Sequence, residues 1–326
     1  MDTPAVPLVS LGSSGILASA LALGSWRTFE RMAREDGVAV LRAARDAGIT
    51  FLDDARYDDE TGSAPMPSGY SEVVFGELFR GAGWPRAAAV VANKLWWEFW
   101  PAESAAQEIR GSLGRMGFDY VDLIYAALPP EGLPLAEAVE MTAALVTAGT
   151  ARAWGTLNWP PALLAQACEV AAQAGVPPPA AAQLPYSLMR RRAVEDPQMQ
   201  NLARQQPVAV VASYALAGGA LTGKYDDDPR AGRLAGSLGE PKVAPARAAG
   251  RELAALAQAT GRDPAQLALA FSLTGPSVTA VLFGATRPEQ VTANVAALAV
   301  AADLTAAERK QLAGVGRSLP DPREVS

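Results

Sequence analysis

The sequence predicts a single-domain α/β protein with a (β/α)8 architecture, the TIM barrel. Three observations support this prediction: short β-rich runs alternate with amphipathic helical stretches, these runs are apolar throughout, and no linker or low-complexity tract divides the 326 residues. Strands that are apolar at every position suit a parallel sheet covered on both faces. Eight β-α units in one chain then indicate a barrel that occupies residues 1–326. A doubly wound sheet is the alternative, but no Gly-x-Gly-x-x-Gly motif follows a first strand.

The strands are predicted from short runs rich in apolar and β-branched residues. Three of the eight runs, 21–24, 153–157 and 181–184, have a weaker pattern than the others. The five clearer runs are 49–52, 89–92, 121–125, 208–212 and 278–283. Each is bounded by turn-forming or helical sequence, as strands of a barrel should be.

Helices are predicted between these strands from apolar residues spaced three or four positions apart. The first carries Val38, Leu41 and Ala44 on one face, with Asp36 as its N-cap and Gly48 as its stop. Further stripes are Ile109, Leu113 and Met116; Leu267 and Phe271 after an Asp263-Pro264 start; and Val291, Val295 and Leu298.

Two segments, 56–72 and 225–247, interrupt the alternation of strands and helices. Both are rich in Gly, Pro and Asp and are too long for simple connections. In a barrel, loops at the C-terminal ends of the strands build the active site. These segments are therefore predicted to border a site.

Composition excludes several classes of function. The chain has no histidine, which excludes Ser-His-Asp and Cys-His catalysis and zinc held by histidine. Its one cysteine, Cys168, excludes an internal disulfide and a thiolate metal cluster, and no metal site is predicted. A net charge of −6 without a basic stripe argues against nucleic-acid binding. Proton chemistry in this chain must come from Tyr, Lys and carboxylates.

The N-terminal apolar stretch 16–24 resembles the hydrophobic part of a signal peptide. The only charge before it is Asp2 and the first cation is Arg27, so the basic region of such a peptide is missing. We interpret the stretch as a buried strand. No apolar run reaches the roughly 18 residues of a membrane helix. A cytoplasmic protein without a membrane segment is expected.

Polar residues follow most of the predicted strands. In chain order they are Asp53 and Tyr57, Asn93 and Lys94, Asn158, Gln183, Ser213 and Tyr214, and Thr286 and Arg287. Any one of them is compatible with a helix cap or a loop contact. Their joint placement favours a site, because the strand ends of a barrel meet at one face.

Five motifs in this order resemble the aldo-keto reductase family. They are Gly48-Ile49-Thr50-Phe51-Leu52-Asp53-Asp54-Ala55-Arg56-Tyr57, Val91-Ala92-Asn93-Lys94, Gly155-Thr156-Leu157-Asn158-Trp159, the block 213–225, and Gly284-Ala285-Thr286-Arg287-Pro288-Glu289-Gln290 with Asn294. The likeness spans residues of about 8 to 302 and is to the branch that includes potassium-channel β subunits. Residues 218–224 also match Gly-x-x-x-x-Gly-Lys, but Tyr225 stands where a P-loop has Ser or Thr, which argues against an NTPase.

The resemblance implies hydride transfer from NADPH to a carbonyl of a small molecule, with Tyr57 as the proton donor. A tyrosine pKa of about 10 is too high for fast exchange at neutral pH, so a cation should lower it. Lys94 is the candidate cation, and Asp53 would hold its ammonium. Tyr57 follows Asp53 by four residues where the family usually has five, so Asp58 stands at the ungapped position.

Cofactor contacts are implied by the same resemblance. Asn158 and Gln183 would hold the nicotinamide carboxamide, and Tyr214 would stack on the ring. The other predicted cofactor residues are Gly24, Trp26, Leu216 and Gly218 near the ring and pyrophosphate, Arg287 and Gln290 at the 2′-phosphate, and Asn294 at the adenine. A cation such as Arg287 favours NADPH over NADH.

The substrate pocket departs from the family pattern at Ala127, where the family usually has histidine. Either the pocket is remodelled for a bulkier carbonyl substrate, or the protein binds NADPH without efficient turnover, as a regulatory subunit would. Trp96 and Trp97 follow Lys94 and are predicted to form an aromatic wall, the alternative being that they pack against the barrel rim. Together these residues resemble ketoreductases that tailor bacterial aromatic polyketides, including aureolic-acid antibiotics. The reductase is the favoured hypothesis, and whether the chain forms a homo-oligomer stays open.

Overall fold

Eight parallel strands close into a barrel in the computed structural model, which describes residues 6–60, 62–228 and 232–319. A short hairpin of β1 (Leu8–Ser10) and β2 (Leu17–Ser19) precedes the barrel. The barrel strands are β3 (Leu21–Gly24), β4 (Phe51–Asp53), β5 (Val90–Leu95), β6 (Val121–Ala126), β7 (Ala151–Leu157), β8 (Ala181–Pro185), β9 (Ala209–Ser213) and β10 (Val278–Phe283). Each pairs with its neighbours along the chain, and β10 pairs with β3. The predicted TIM barrel is confirmed, and every predicted run overlaps one of its strands.

Helices surround the barrel. They are α1 (Arg34–Asp46), α2 (Tyr70–Gly81), α3 (Ala105–Met116), α4 (Leu135–Thr147), α5 (Pro161–Ala174), α6 (Arg192–Glu195), α7 (Pro197–Gln205), α8 (Lys224–Asp227), α9 (Ala244–Thr260), α10 (Pro264–Leu273), α11 (Pro288–Val295), α12 (Ala297–Asp303) and α13 (Ala306–Gly314). Asp263 caps α10 as predicted, since its carboxylate accepts a hydrogen bond from the backbone N of Gln266. None of the described helices is both long and apolar enough to cross a membrane.

The barrel interior is filled mainly by small side chains. Alanines from alternate positions of six strands face inward: Ala22, Ala92, Ala153, Ala181, Ala209 and Ala280. Phe51, Leu123, Tyr125 and Leu157 fill the remaining space, and all four are buried. Leu11 and Ile16 of the hairpin join this cluster and so close one end of the barrel. The opposite end, where the strands terminate, is left for the site.

Two predicted elements differ in the structure. The single strand predicted over 16–24 is two strands, because Ser19 turns the chain: its hydroxyl accepts from the backbone N of Thr50 and donates to the carbonyl of Leu21. Helix α1 begins at Arg34, so Asp36 lies in its first turn and does not cap it. The carboxylate there still favours the helix, because it faces the positive end of the helix dipole.

The two predicted long loops also contain helical structure. Helix α2 begins at Tyr70, inside the first segment. The second segment, 225–247, includes part of α8, two short 3-10 turns and the start of α9. We refer to residues 225–247 as the cavity loop.

Candidate active site

A cavity of about 1060 Å³ opens at the C-terminal ends of the barrel strands. It is lined by every residue predicted to act in catalysis or cofactor binding, and by Trp96. These residues are Gly24, Trp26, Asp53, Tyr57, Lys94, Asn158, Gln183, Tyr214, Leu216, Gly218, Arg287, Gln290 and Asn294. They come from segments far apart in the chain and meet only because the barrel gathers its strand ends.

A buried ion pair lies at the floor of this cavity. The Nζ atom of Lys94 is 2.5 Å from Oδ1 of Asp53 and also donates to the carbonyl of Asp54 at 3.2 Å. The second carboxylate oxygen, Oδ2 of Asp53, accepts from Nε2 of Gln183 at 2.8 Å. Asp53, Lys94 and Gln183 are all buried. Since buried charges need such partners to be tolerated, each group fixes the position of the others.

Tyr57 lies above this pair, within the cavity. Its ring centroid is 5.8 Å from Nζ of Lys94 and 6.4 Å from the ring centroids of both Trp26 and Trp96. The backbone N of Tyr57 donates to the hydroxyl of Ser71, which ties the residue to α2. The neighbouring Asp58, at the ungapped position of the motif, is exposed and does not line the cavity.

The pKa of Tyr57 is raised well above its ordinary value, the opposite of the direction predicted from the sequence. Burial is the largest cause, followed by the negative charges of Asp53 and Asp54, while the Arg233 guanidinium opposes the rise. The lowering predicted for Lys94 is outweighed in this structure, where burial is the largest cause and the Lys94 ammonium pairs with Asp53. Tyr57 stays protonated at neutral pH and is held in the form that donates a proton.

A second buried carboxyl group, Asp54, lies behind the site. Ser25 donates its hydroxyl hydrogen bond to Oδ1 of Asp54, whereas Oδ2 has no partner among the described residues. Burial, and then the charge of nearby Glu72, raise the pKa of Asp54 well above its usual range. Glu72 itself is held by Arg115 at 2.6 Å. Asp54 thus links the loop after β3 to the strand that carries Asp53.

Positive charge collects at one end of the cavity. Lys224, Arg233 and Arg287 all line it, and no carboxylate pairs with any of them in the part of the chain that the structure describes. Burial lowers the pKa of Lys224, and the charges of Arg233 and Arg287 lower it further. Like charges held together in this way favour an anion between them.

Part of the cavity lining has its backbone in left-handed conformations. Asn158 follows β7 with φ of 59°, and Tyr214 follows β9 with φ of 63°. Such conformations cost about 1–3 kcal/mol for residues other than glycine and concentrate at functional sites. At Gly218, φ is 68° and a Cβ atom would lie 3.1 Å from the side chain of Leu234. Both the positive φ and the neighbouring Leu234 side chain therefore favour glycine at this position of the cavity lining.

The structure corrects two predicted substrate residues. Trp97 is buried in the outer core, and its Nε1 donates to the carbonyl of Ala127 at 3.1 Å. Neither Trp97 nor Ala127 lines the cavity. Trp96 points into the cavity, whereas φ of 62° at Trp97 directs the next side chain away from it. The aromatic wall is therefore formed by Trp96 and Trp26 on either side of Tyr57.

Several cavity residues were not predicted from the sequence. Arg233 comes from the cavity loop, donates to the carbonyl of Trp26 at 2.6 Å and lies 5.0 Å from the Trp26 ring centroid. Arg190 stacks on Tyr214 with 4.1 Å between the guanidinium carbon and the ring centroid. The sequence did contain a signal for Lys224, since this residue lies in the matched block 213–225. Arg190 and Arg233 had none, because their loops approach the site only after the chain has folded.

Comparison with known proteins agrees with this geometry. Residues 20–316 match the aldo/keto reductase family. The chain is also 30% identical, over 97% of its length and 98% of the other protein, to a probable voltage-gated potassium channel subunit beta from Oryza sativa subsp. japonica. This protein belongs to the aldo/keto reductase family, whose members catalyse NAD(P)H-dependent carbonyl reduction.

Proposed function

We propose that this protein is a cytoplasmic, NADPH-dependent reductase of a bulky aromatic ketone, with Tyr57 as the proton donor. The observation that supports this most is one cavity that joins the cationic end, at Lys224, Arg233 and Arg287, to Tyr57 above the Lys94–Asp53 pair. The cations suit the pyrophosphate and 2′-phosphate of NADPH. Asn158 and Tyr214, whose backbone is strained, line the same cavity, and in this proposal they contact the nicotinamide.

When bound, NADPH supplies a hydride to the carbonyl carbon. The side chains of this protein then have three tasks. Tyr57, protonated at neutral pH, donates its proton to the carbonyl oxygen as negative charge develops there. Lys94 and Asp53 fix the floor beneath that hydroxyl. Trp26 and Trp96 exclude water and hold the substrate carbonyl against Tyr57.

The tryptophans support a flat, aromatic substrate. A planar ketone that stacks on one of these indoles beside Tyr57 would bury much apolar surface. The absence of an imidazole leaves Tyr57 as the only side chain proposed to donate to the carbonyl oxygen. We include a polyketide-type aryl ketone, and hence a role in antibiotic biosynthesis, in the proposal for this reason.

The second candidate is an NADPH-binding regulatory subunit with weak turnover. It is favoured by the rice relative, whose name describes a channel subunit, and by the alanine at position 127. Both candidates bind NADPH, so only turnover separates them.

The test of catalysis is NADPH oxidation with aromatic aldehydes, o-quinones and a bulky aryl ketone. Tyr57→Phe is expected to lower kcat by about a hundredfold or more while leaving NADPH affinity unchanged. Tyr70→Phe is the matched control, because Tyr70 lies outside the cavity lining and its hydroxyl accepts a hydrogen bond from Arg34. NADPH binding with equal, negligible turnover in the parent and Tyr57→Phe would favour the regulatory candidate.

The test of the cofactor site is NADPH affinity after removal of one cation. Lys224→Met should weaken NADPH binding about tenfold, because a hydrogen-bonded phosphate contact is lost. Arg287→Met should weaken NADPH binding more than NADH binding. Lys242→Met, which removes an exposed lysine paired with Glu240, should change neither affinity. Equal affinities in all these proteins would contradict the proposed phosphate site.

A further inference from the structure

Tyr125 is a large side chain at the centre of the barrel that the mechanism above does not use. It lies on β6 in register with Lys94 of β5 and Gly155 of β7, and it is fully buried. The surrounding interior positions are mostly alanine, which leaves room for its ring. Tyr125 thus occupies the barrel interior beside the strand that carries Lys94.

The hydroxyl of Tyr125 has no hydrogen-bond partner among the described residues. A buried donor without a partner lowers the stability of the folded protein, so the presence of this hydroxyl calls for an explanation. Burial is the largest cause that raises the Tyr125 pKa, and the charge of Asp53 adds to it, while Gln183, whose amide lies within hydrogen-bonding reach of the hydroxyl, opposes that rise. Lys94, the register neighbour of Tyr125, and Gln183 both bind Asp53, so the hydroxyl of Tyr125 lies next to the hydrogen bond between Gln183 and Asp53.

The side-chain amide of Gln183 has two possible hydrogen-bond partners, the Asp53 carboxylate and a cofactor in the cavity. Its Nε2 now donates to Oδ2 of Asp53 at 2.8 Å, yet the side chain also lines the cavity. If Gln183 turns to the cofactor carboxamide, Asp53 keeps Lys94 on Oδ1 but loses its donor on Oδ2. A buried carboxylate oxygen left without a donor would be unfavourable.

We propose that Tyr125 is a positioning residue whose hydroxyl takes over the hydrogen bond to Oδ2 of Asp53 when Gln183 turns toward the nicotinamide carboxamide. This inference rests on the proposed NADPH binding. The exchange keeps Asp53, and through it Lys94, in place while the cofactor is bound. It also gives the Tyr125 hydroxyl a partner only in the complex, so that this hydroxyl contributes to cofactor affinity and not to the stability of the free protein.

The experiment compares Tyr125→Phe in the parent chain and in a Gln183→Ala background. Two quantities are measured for each protein: the thermal unfolding midpoint without cofactor, and the Kd for NADPH from fluorescence titration. In the parent, Tyr125→Phe should leave the midpoint unchanged or raise it, and should weaken NADPH binding about tenfold. In the Gln183→Ala background, Tyr125 already donates to Asp53, so Tyr125→Phe should lower the midpoint by about 2–4 °C and leave Kd unchanged.

Tyr186→Phe is the control for loss of a buried tyrosine hydroxyl. That hydroxyl donates to Glu195 at 3.0 Å and lies outside the cavity lining, so its loss should lower the midpoint without changing Kd. An unchanged Kd for Tyr125→Phe in a parent that binds NADPH overturns the exchange, as does a lower midpoint like that of Tyr186→Phe. A parent that binds no NADPH overturns the proposed function and the exchange with it.

Discussion

Individual side chains in this site are governed by the balance of charge around them. Burial and the carboxylates of Asp53 and Asp54 raise the pKa of Tyr57, whereas the Arg233 guanidinium lowers it. The sum raises its pKa, because burial is the largest contribution. Tyr57 is consequently adapted to donating a proton and poorly adapted to removing one.

This balance predicts the pH dependence of the reaction. A raised pKa keeps the donating form present through the whole range below the ordinary tyrosine value of about 10. For a ketone that the enzyme reduces, kcat/KM should therefore stay level from about pH 7 to 10 and fall only above it. Alcohol oxidation, which needs the deprotonated form, should be very slow over the same range. A fall in the reduction profile centred near neutral pH would contradict this assignment.

The adjacent tryptophans give a second prediction at this scale. Trp96→Ala removes one wall of the cavity and should raise KM for a bulky aryl ketone about tenfold, with a smaller effect on a short aliphatic one. Trp97→Phe removes the hydrogen bond to the Ala127 carbonyl and part of a buried ring, without touching the cavity lining. It should lower the free energy of unfolding by about 1–3 kcal/mol and leave KM unchanged. If only Trp97→Phe changed KM, the substrate would contact Trp97 and not Trp96.

At the scale of elements, the cavity loop is attached to the turn after β9 by one tyrosine. Tyr225 donates its hydroxyl hydrogen bond to the carbonyl of Gly218 at 2.8 Å and accepts from the backbone N of Leu234 at 2.9 Å. Leu234 follows Arg233, which reaches across to Trp26. The hydroxyl of Tyr225 therefore helps to place a cation of the cofactor site.

Loss of this attachment should be visible in cofactor kinetics. Tyr225→Phe removes both hydrogen bonds and is expected to speed NADPH dissociation about tenfold, measured by stopped-flow fluorescence. Asp226→Asn is the control on the same loop, since its carboxylate pairs with Arg247 on the exposed surface. Exposed pairs contribute about 0–1 kcal/mol, so dissociation from that variant should match the parent. Equal rates in all three proteins would mean that the loop does not hold the cofactor.

For the whole molecule, stability depends on how tightly neighbouring barrel strands approach. A Cβ atom at Gly155 of β7 would lie 2.3 Å from the carbonyl oxygen of Ala181 on β8. A side chain there is incompatible with the present strand spacing. By contrast, Gly114 inside α3 has open space where its Cβ would be.

These two glycines give opposite predictions for stability. Gly155→Ala should lower the free energy of unfolding by about 1–3 kcal/mol through overpacking, measured by urea denaturation. Gly114→Ala should raise it by about 0.5–1 kcal/mol, because alanine favours the helix. Destabilisation of similar size by both substitutions would show that strand spacing at Gly155 is not the limiting contact.

The sequence by itself determined the barrel and most of the lining of its cavity. Apolar strands alternating with helices predicted the (β/α)8 fold, and polar residues after those strands, such as Asp53 and Asn158, line the cavity because a barrel gathers its strand ends. This part of the prediction needed only the position of each residue relative to its own strand.

Only the tertiary structure decided the rest. Arg233 enters the site from a long loop, and Trp97 leaves it because its local backbone turns the side chain into the core. The pKa of Tyr57 rises where the motif predicted a fall, and the buried Tyr125 hydroxyl has no well-aligned hydrogen bond among the described residues. Burial, charge balance and side-chain direction all depend on neighbours that are distant in the chain. They take definite values only when the fold has brought those neighbours together.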